Sequence, residues 1–228
     1  MHHRIFGLAI VAALFATLSR SQQLSPGTLA PPRESKRLLG IIPNYRTSPS
    51  LLNYEPVTTS EKFKLASEDA FDRGTFALAA LFAGESQLTN ANRAFGQGVA
   101  GFGRYWAAAY GDFLIGDYMT EGLFPILLHQ DPRYFRRGIG SKSSRLAYSM
   151  GQIFWTHVDS GGTQFNYSEV IGNSAAVAIS NAYYVDNRTA TDAASKLGMQ
   201  IGVDMASNIL KEFWPDMEQK FRRKRLRK

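Results

Sequence analysis

Apolar and polar positions fall into blocks along this chain. Residues 5–18 form an almost unbroken apolar stretch behind a polar start holding His2, His3 and Arg4. Residues 25–50 then carry Pro26, Pro31, Pro32, Pro43 and Pro49. Prolines at that density lack backbone donors and cannot continue a helix, so an extended linker is expected. The short apolar patch Leu38-Leu39-Gly40-Ile41-Ile42 inside it reads either as an arm packed on the body or as a loop brushing its surface. From Thr58 onward, apolar residues recur at helical spacing.

Thr58-Thr59-Ser60-Glu61 is a capping box, Thr at the cap and Glu three residues on, and it predicts a helix over 60–71. Further helices are expected over 75–88, from beyond the glycines at 96–103 to about 129 with a kink at Pro125, over 143–155, over 168–183, and over 190–214 with a stop at Pro215. The best strand pattern is 163–167, and it is short. The fold expected is mainly α, a compact bundle of about five to six helices. Small residues four apart make packing stripes on it: Thr75, Ala79 and Ala83; Gly103, Ala107 and Gly111; Gly172, Ala176 and Ser180; Gly198, Gly202 and Ala206. Such stripes let neighbouring backbones approach closely, in a tightly packed soluble bundle or in one lying on a membrane.

Charge changes the picture at one end only. The net charge is +7, and the last nine residues, Lys220 to Lys228, hold seven cations and no acid. The body is otherwise balanced, which excludes a globally basic nucleic-acid-binding face. The chain has no cysteine, so a disulfide scaffold, a thiol nucleophile and a cysteine zinc site are all excluded. Residues 1–21 have the layout of a cleavable export signal, with small Ser19 and Ser21 before Gln22. The rival is a retained anchor, although the apolar run is shorter than the about 20 residues that span a bilayer. The expected organisation is a signal over 1–21, a Pro-rich linker or arm over 22–57, a helical domain over 58–216 and a basic tail over 217–228.

Several motifs suggest chemistry. Gly96-Gln97-Gly98-Val99-Ala100-Gly101 matches the dinucleotide fingerprint, but a polar helix end precedes it where a strand is needed. Asp159-Ser160-Gly161-Gly162 is similar to a serine-protease run, and equally to a plain turn. Gly172-Asn173-Ser174-Ala175-Ala176 is a degraded nucleophile elbow. The richest polar cluster is Asp117, Glu121 and His129, candidates for acid–base work; Asp117 and Glu121 lie four apart, whereas His129 is about 12 Å further along a helix. Arg133, Arg136 and Arg137 form a basic spot that could hold phosphate or carboxylate. No metal set and no cofactor is expected.

The stretch Glu121-Gly122-Leu123-Phe124-Pro125 through His129-Gln130-Asp131-Pro132-Arg133-Tyr134-Phe135-Arg136-Arg137-Gly138 resembles uncharacterised exported proteins of soil bacteria. So do Asp159-Ser160-Gly161-Gly162, Phe165-Asn166-Tyr167-Ser168-Glu169, Ser180-Asn181-Ala182-Tyr183-Tyr184 and 208–216. The resemblance brings no activity. It implies a protein of the bacterial periplasm or cell envelope.

Three functions are then in competition: a non-enzymatic envelope protein peripheral to a membrane, a hydrolase using Asp117, Glu121 and His129, and a module binding lipid or a small ligand between the helices. For the first, Arg222, Arg223, Lys224 and Arg225 of the tail, with Phe221 and Leu226 as apolar anchors, would meet an anionic membrane surface. Nucleic acid is not an expected partner.

Overall fold

The computed structural model describes residues 37–38, 42–44, 47–48 and 54–226. The expected export signal lies outside the described residues, as do the side chains of Arg222, Lys224 and Arg225 in the tail.

Strands β1 (Arg37–Leu38) and β2 (Ile42–Pro43) pair antiparallel, Leu38 opposite Ile42, so the apolar patch of the Pro-rich segment turns back on itself. Strand β3 (Thr47–Ser48) pairs in parallel with β4 (Tyr134–Phe135), and Arg136 N–H donates to the Ser48 carbonyl at 3.0 Å. Tyr54 continues the attachment, its hydroxyl donating to the Val158 carbonyl at 3.1 Å. The described part of this segment is thus an arm tied to the body.

Helix α1 (Thr59–Ala70) starts at the expected capping box: Thr58 Oγ1 accepts from Glu61 N–H, and Glu61 Oε2 accepts from Thr58 N–H. Helix α2 (Arg73–Leu88) is capped by Asp72, whose carboxylate accepts from Gly74 N–H at 2.6 Å. It packs lengthwise on α3 (Gly98–Asp117). The core where α1, α2 and their neighbours meet is made of alanine: Ala66, Ala70, Ala79 and Ala83 are wholly buried. Small side chains cost little entropy on burial and bring backbones close.

The expected long third helix exists, with a different device at its bend. After α3 the chain widens into a π turn (Tyr118–Leu123), in which Phe124 N–H reaches the Met119 carbonyl five residues back, and then runs on as α4 (Phe124–Leu127). A proline ring clashes with the carbonyl four residues earlier in a regular helix, and the wide turn carries the chain past Pro125 without that clash.

Helix α5 (Lys142–Gly151) ends earlier than expected, because Trp155–His157 forms β5, paired antiparallel with β6 (Thr163–Phe165). The β6 strand falls where the short alternating pattern placed one. Helix α6 (Tyr167–Ser180) packs on the π turn at Gly172, where an added Cβ would come within 2.9 Å of Thr120 Cγ2 and 3.1 Å of the Met119 carbonyl carbon.

Helix α7 (Ala190–Leu226) does not stop at Pro215, and no helix boundary separates a tail at 217. Proline removes one helical donor, and two arginines from other elements hold the helix at the carbonyl one residue past the one that donor would have met. Arg136 Nε and Arg145 Nη2 donate to the Glu212 carbonyl at 3.0 and 2.7 Å. Among the described residues no helix is long and apolar enough to cross a membrane.

Two of the four small-residue stripes are contacts. Thr75, Ala79 and Ala83 are buried, and so are Gly172, Ala176 and Ser180. Gly103, Ala107, Gly198 and Gly202 are exposed instead, with open space where a Cβ at Gly103, Gly198 or Gly202 would stand. Spacing defines a face of a helix but not which way it turns. On α3 the inward face is Gly101, Tyr105 and Ala108, fixed by the Tyr105 hydroxyl, which donates to the Asn92 carbonyl and accepts its N–H.

Candidate functional site

The fold separates the expected acid–base residues. Glu121 sits in the π turn and is wholly buried, whereas His129, with a left-handed backbone at φ 54, is exposed in the turn after α4. Asp117 is half-buried at the end of α3. Among the described residues no three His, Asp or Glu side chains stand close enough to hold a metal ion.

Two of the three arginines in the spot, Arg133 and Arg136, are already paired with the protein's own carboxylates. Arg133 grips Asp131 through Nε at 3.0 Å and Nη2 at 2.6 Å, with a further bond from Nη2 to the Glu55 carbonyl. Its guanidinium also covers the rings of Tyr54 and Phe135. Arg136 pairs with Asp216 at 2.6 Å. Arg137 uses its backbone N–H on Glu212 and lays its side chain over the Tyr148 ring. The sequence reveals three neighbouring cations; it does not reveal that α7 brings Asp216 to Arg136 and the Glu212 carboxylate to the Arg137 backbone N–H.

Glu212 is the centre of that network. It is wholly buried and accepts from Arg145 Nε at 2.6 Å, Tyr134 hydroxyl at 2.8 Å, Gly138 N–H at 2.9 Å and Arg137 N–H at 3.0 Å. Burial, with the Glu212 charge behind it, pushes the Tyr134 hydroxyl far above its ordinary range, so it stays protonated and donates to Glu212.

The Gln130-Asp131-Pro132 turn is threaded to the β5–β6 hairpin and to α6. Gln130 is wholly buried, donates through Nε2 to the Phe165 carbonyl at 2.7 Å and accepts both the Ser168 N–H and hydroxyl on Oε1. Beside it opens a polar cleft of about 30 Å³, lined among others by Thr120, Asp131, Arg133, Trp155, Glu169 and Asp204. At its edge Asn173 Nδ2 bridges Glu169 and Asp204 at 3.0 and 3.3 Å. A water needs roughly 10–15 Å³ and a substrate-sized ligand about 300 Å³ or more, so this cleft suits one or two waters.

The protease-like run is a turn. Gly161 and Gly162 hold φ of 88° and 98°, Ser160 is exposed, and the Asp159 carboxylate pairs at 2.6 Å with Lys62, itself 2% exposed. His157 forms a three-ring cluster with Tyr54 and Phe135, tilted to the first and edge-on to the second with ring centroids 5.8 and 4.7 Å away, and burial lowers its pKa below the usual 6.5. The dinucleotide-like glycines fold on themselves. A Cβ at Gly101 would stand 2.4 Å from the Gly96 carbonyl oxygen, so the chain's own backbone fills the place a phosphate would need. The degraded elbow is helical throughout, within α6.

One polar cluster has little sequence signal beyond the Tyr183-Tyr184 doublet. Asp112 on α3 accepts both tyrosine hydroxyls, that of Tyr184 at 2.7 Å. Burial raises the Asp112 carboxyl above its ordinary value and pushes both phenols up. Lys196 lies over the Tyr184 ring at 4.3 Å, bonds Asn181 at 3.0 Å, and is lowered by burial. Its residues arrive from α3, the turn after α6 and α7, which explains why no local pattern announces it.

Compared with known proteins, the chain matches no family model, no curated protein and no solved structure.

Proposed function

We propose that this chain is a non-enzymatic helical protein of the bacterial cell envelope, exported and peripheral to a membrane. One observation carries the reading: the bundle turns large apolar side chains outward, with Leu81, Leu88, Val99, Leu127 and Ile139 between 53% and 92% exposed. The most exposed of them, Leu88 and Val99, stand together at the tip where α2 and α3 meet, and exposed apolar surface of that kind suits an interaction with lipid or protein. The polar residues that would carry chemistry are engaged in holding the fold, Arg133 with Asp131 and Arg145 with Glu212. The layout of residues 1–21 and the likeness to exported soil-bacterial proteins favour the envelope as the place.

The test is flotation of the full chain with phosphatidylglycerol vesicles, together with fractionation of a bacterial host. The expected result is co-flotation and a membrane fraction partly released at about 1 M salt, where charge attraction is screened within about 3 Å. A chain that stays entirely at the bottom of the gradient and in the cytosolic fraction would overturn the reading.

A further inference from the structure

The hairpin of α2 and α3 ends in a tip, residues 88–99, far from the polar cleft. The helical path from Gly98 to Leu127 is continuous, and at 1.5 Å per residue it is about 40 Å long. At its far end the Pro125 carbonyl shares Lys62 with Asp159 of the 159–162 turn. Tip and turn therefore occupy opposite ends of the body.

At the tip, Leu88 is 90% and Val99 92% exposed, more than any other large apolar side chain among the described residues. They stand on a fixed scaffold. Tyr105 bonds both backbone groups of Asn92, Gln87 Nε2 donates to the Gly98 carbonyl at 2.9 Å, and Ala94 N–H donates to Asp186 at 2.7 Å. Two apolar side chains are thus held outward with nothing of their own chain over them.

Charge at this end leans positive, three arginines against Glu85, one turn before Leu88, and Asp186. Between Glu85 and Asp112 the only charged residues are Arg93 and Arg104. Arg188 joins them from the facing loop, where Asp186 accepts the Ala94 N–H.

We propose that this tip enters the interface of an anionic lipid bilayer, Leu88 and Val99 reaching the acyl boundary while Arg93, Arg104 and Arg188 meet headgroup phosphates. The inference rests on the membrane reading above and names the surface that serves it. A protruding apolar pair ringed by cations suits a deformable anionic surface. A second copy docked tip to tip would instead set three arginines against the same three, an arrangement that like-charge repulsion disfavours.

The chain lacks cysteine, so single labels report each end separately. A nitroxide on V99C becomes shielded from a polar nickel reagent and accessible to oxygen when phosphatidylglycerol vesicles are added, and one on S160C does not. In the full chain, L88E/V99E lowers vesicle affinity at least about tenfold while melting is unchanged, since both positions are exposed. Equal flotation of wild type and L88E/V99E overturns the tip and leaves the membrane reading standing; absence of flotation by wild type overturns both. Binding to phosphatidylcholine as tight as to phosphatidylglycerol overturns the arginine contacts. Shielding of V99C without vesicles, with a dimer in sedimentation that L88E/V99E dissolves, replaces lipid with a second copy.

Discussion

Arg145 Nε meets Glu212 Oε1 at 2.6 Å, with 8% and 0% of the two side chains exposed. The pair joins α5 to the middle of α7, and the same Glu212 side chain holds the backbone at 137–138. An ion pair so deeply desolvated is costly to break on one side only, because the survivor keeps its charge without its partner.

Glu212→Ala is therefore expected to destabilise by about 3–5 kcal/mol, measured by urea unfolding. Arg145→Met should cost as much alone but less in the presence of Glu212→Gln. Strict additivity of the two would show that they do not act as a pair.

Gly172→Ala should cost about 1–3 kcal/mol, because its Cβ would press into Thr120 and the Met119 backbone. Gly202→Leu is the contrast. With nothing within 4 Å of its Cβ position, it should change stability by less than about 1 kcal/mol, and helix propensity favours the substitution. Thermal melts of the two variants side by side decide the matter.

Lys62→Met removes the Nζ that bridges Asp159 and the Pro125 carbonyl. A loss of about 1–3 kcal/mol is expected, with the double variant Lys62→Met/Asp159→Asn less harmed than the sum of its parts. A double-mutant cycle with no coupling would leave the turn at 159–162 held by something else.

His157 has a folded pKa below 6.5, so the unfolded chain takes up its proton first as pH falls. Its contribution is fully present above 6.5 and is lost as pH drops through the folded value. The melting temperature should decline between about pH 7 and pH 5, and His157→Phe, a ring of similar shape against Tyr54 and Phe135, should flatten that part of the curve. Parallel curves for the two proteins would assign the decline elsewhere.

Truncation after Gln219 cuts into the last turns of α7, since helix runs to Leu226. Circular dichroism should therefore show a small loss of helix. Melting should stay the same, because Lys220, Phe221 and Arg223 are exposed. Vesicle binding should weaken at low salt if the tail cations contribute.

The helices were legible because their signals are local. Thr58 and Glu61 are three residues apart, and that Ala79 and Ala83 share one face follows from their spacing on one helix. The site was less legible because its partners are distant in sequence. Glu212 lies 67 residues from Arg145, and Asp112 lies 71 from Tyr183. Arg136 looked available for a ligand because Asp216, which meets it, lies 80 residues on, whereas the partner of Arg133, Asp131, is only two residues away and was open to a local reading. Gly198 and Gly202 misled for another reason: a stripe of small residues gives no direction without a neighbour to pack against.

The wide turn at Tyr118–Leu123 makes the long helix a spliced object. One extra residue in a turn rotates everything after it by about 100° relative to everything before it. A helical wheel drawn straight through from Gly98 to Leu127 is therefore out of phase beyond Asp117, and it places Glu121 and Asp117 on one face as partners. The same offset gives the segment a spare residue. A single-residue deletion between Tyr118 and Leu123 would restore a regular α-helix only by swinging Pro125, Gln130 and the turn they anchor out of alignment with Lys62 and Ser168. In that sense the π turn keeps two otherwise incommensurate halves of the molecule in register.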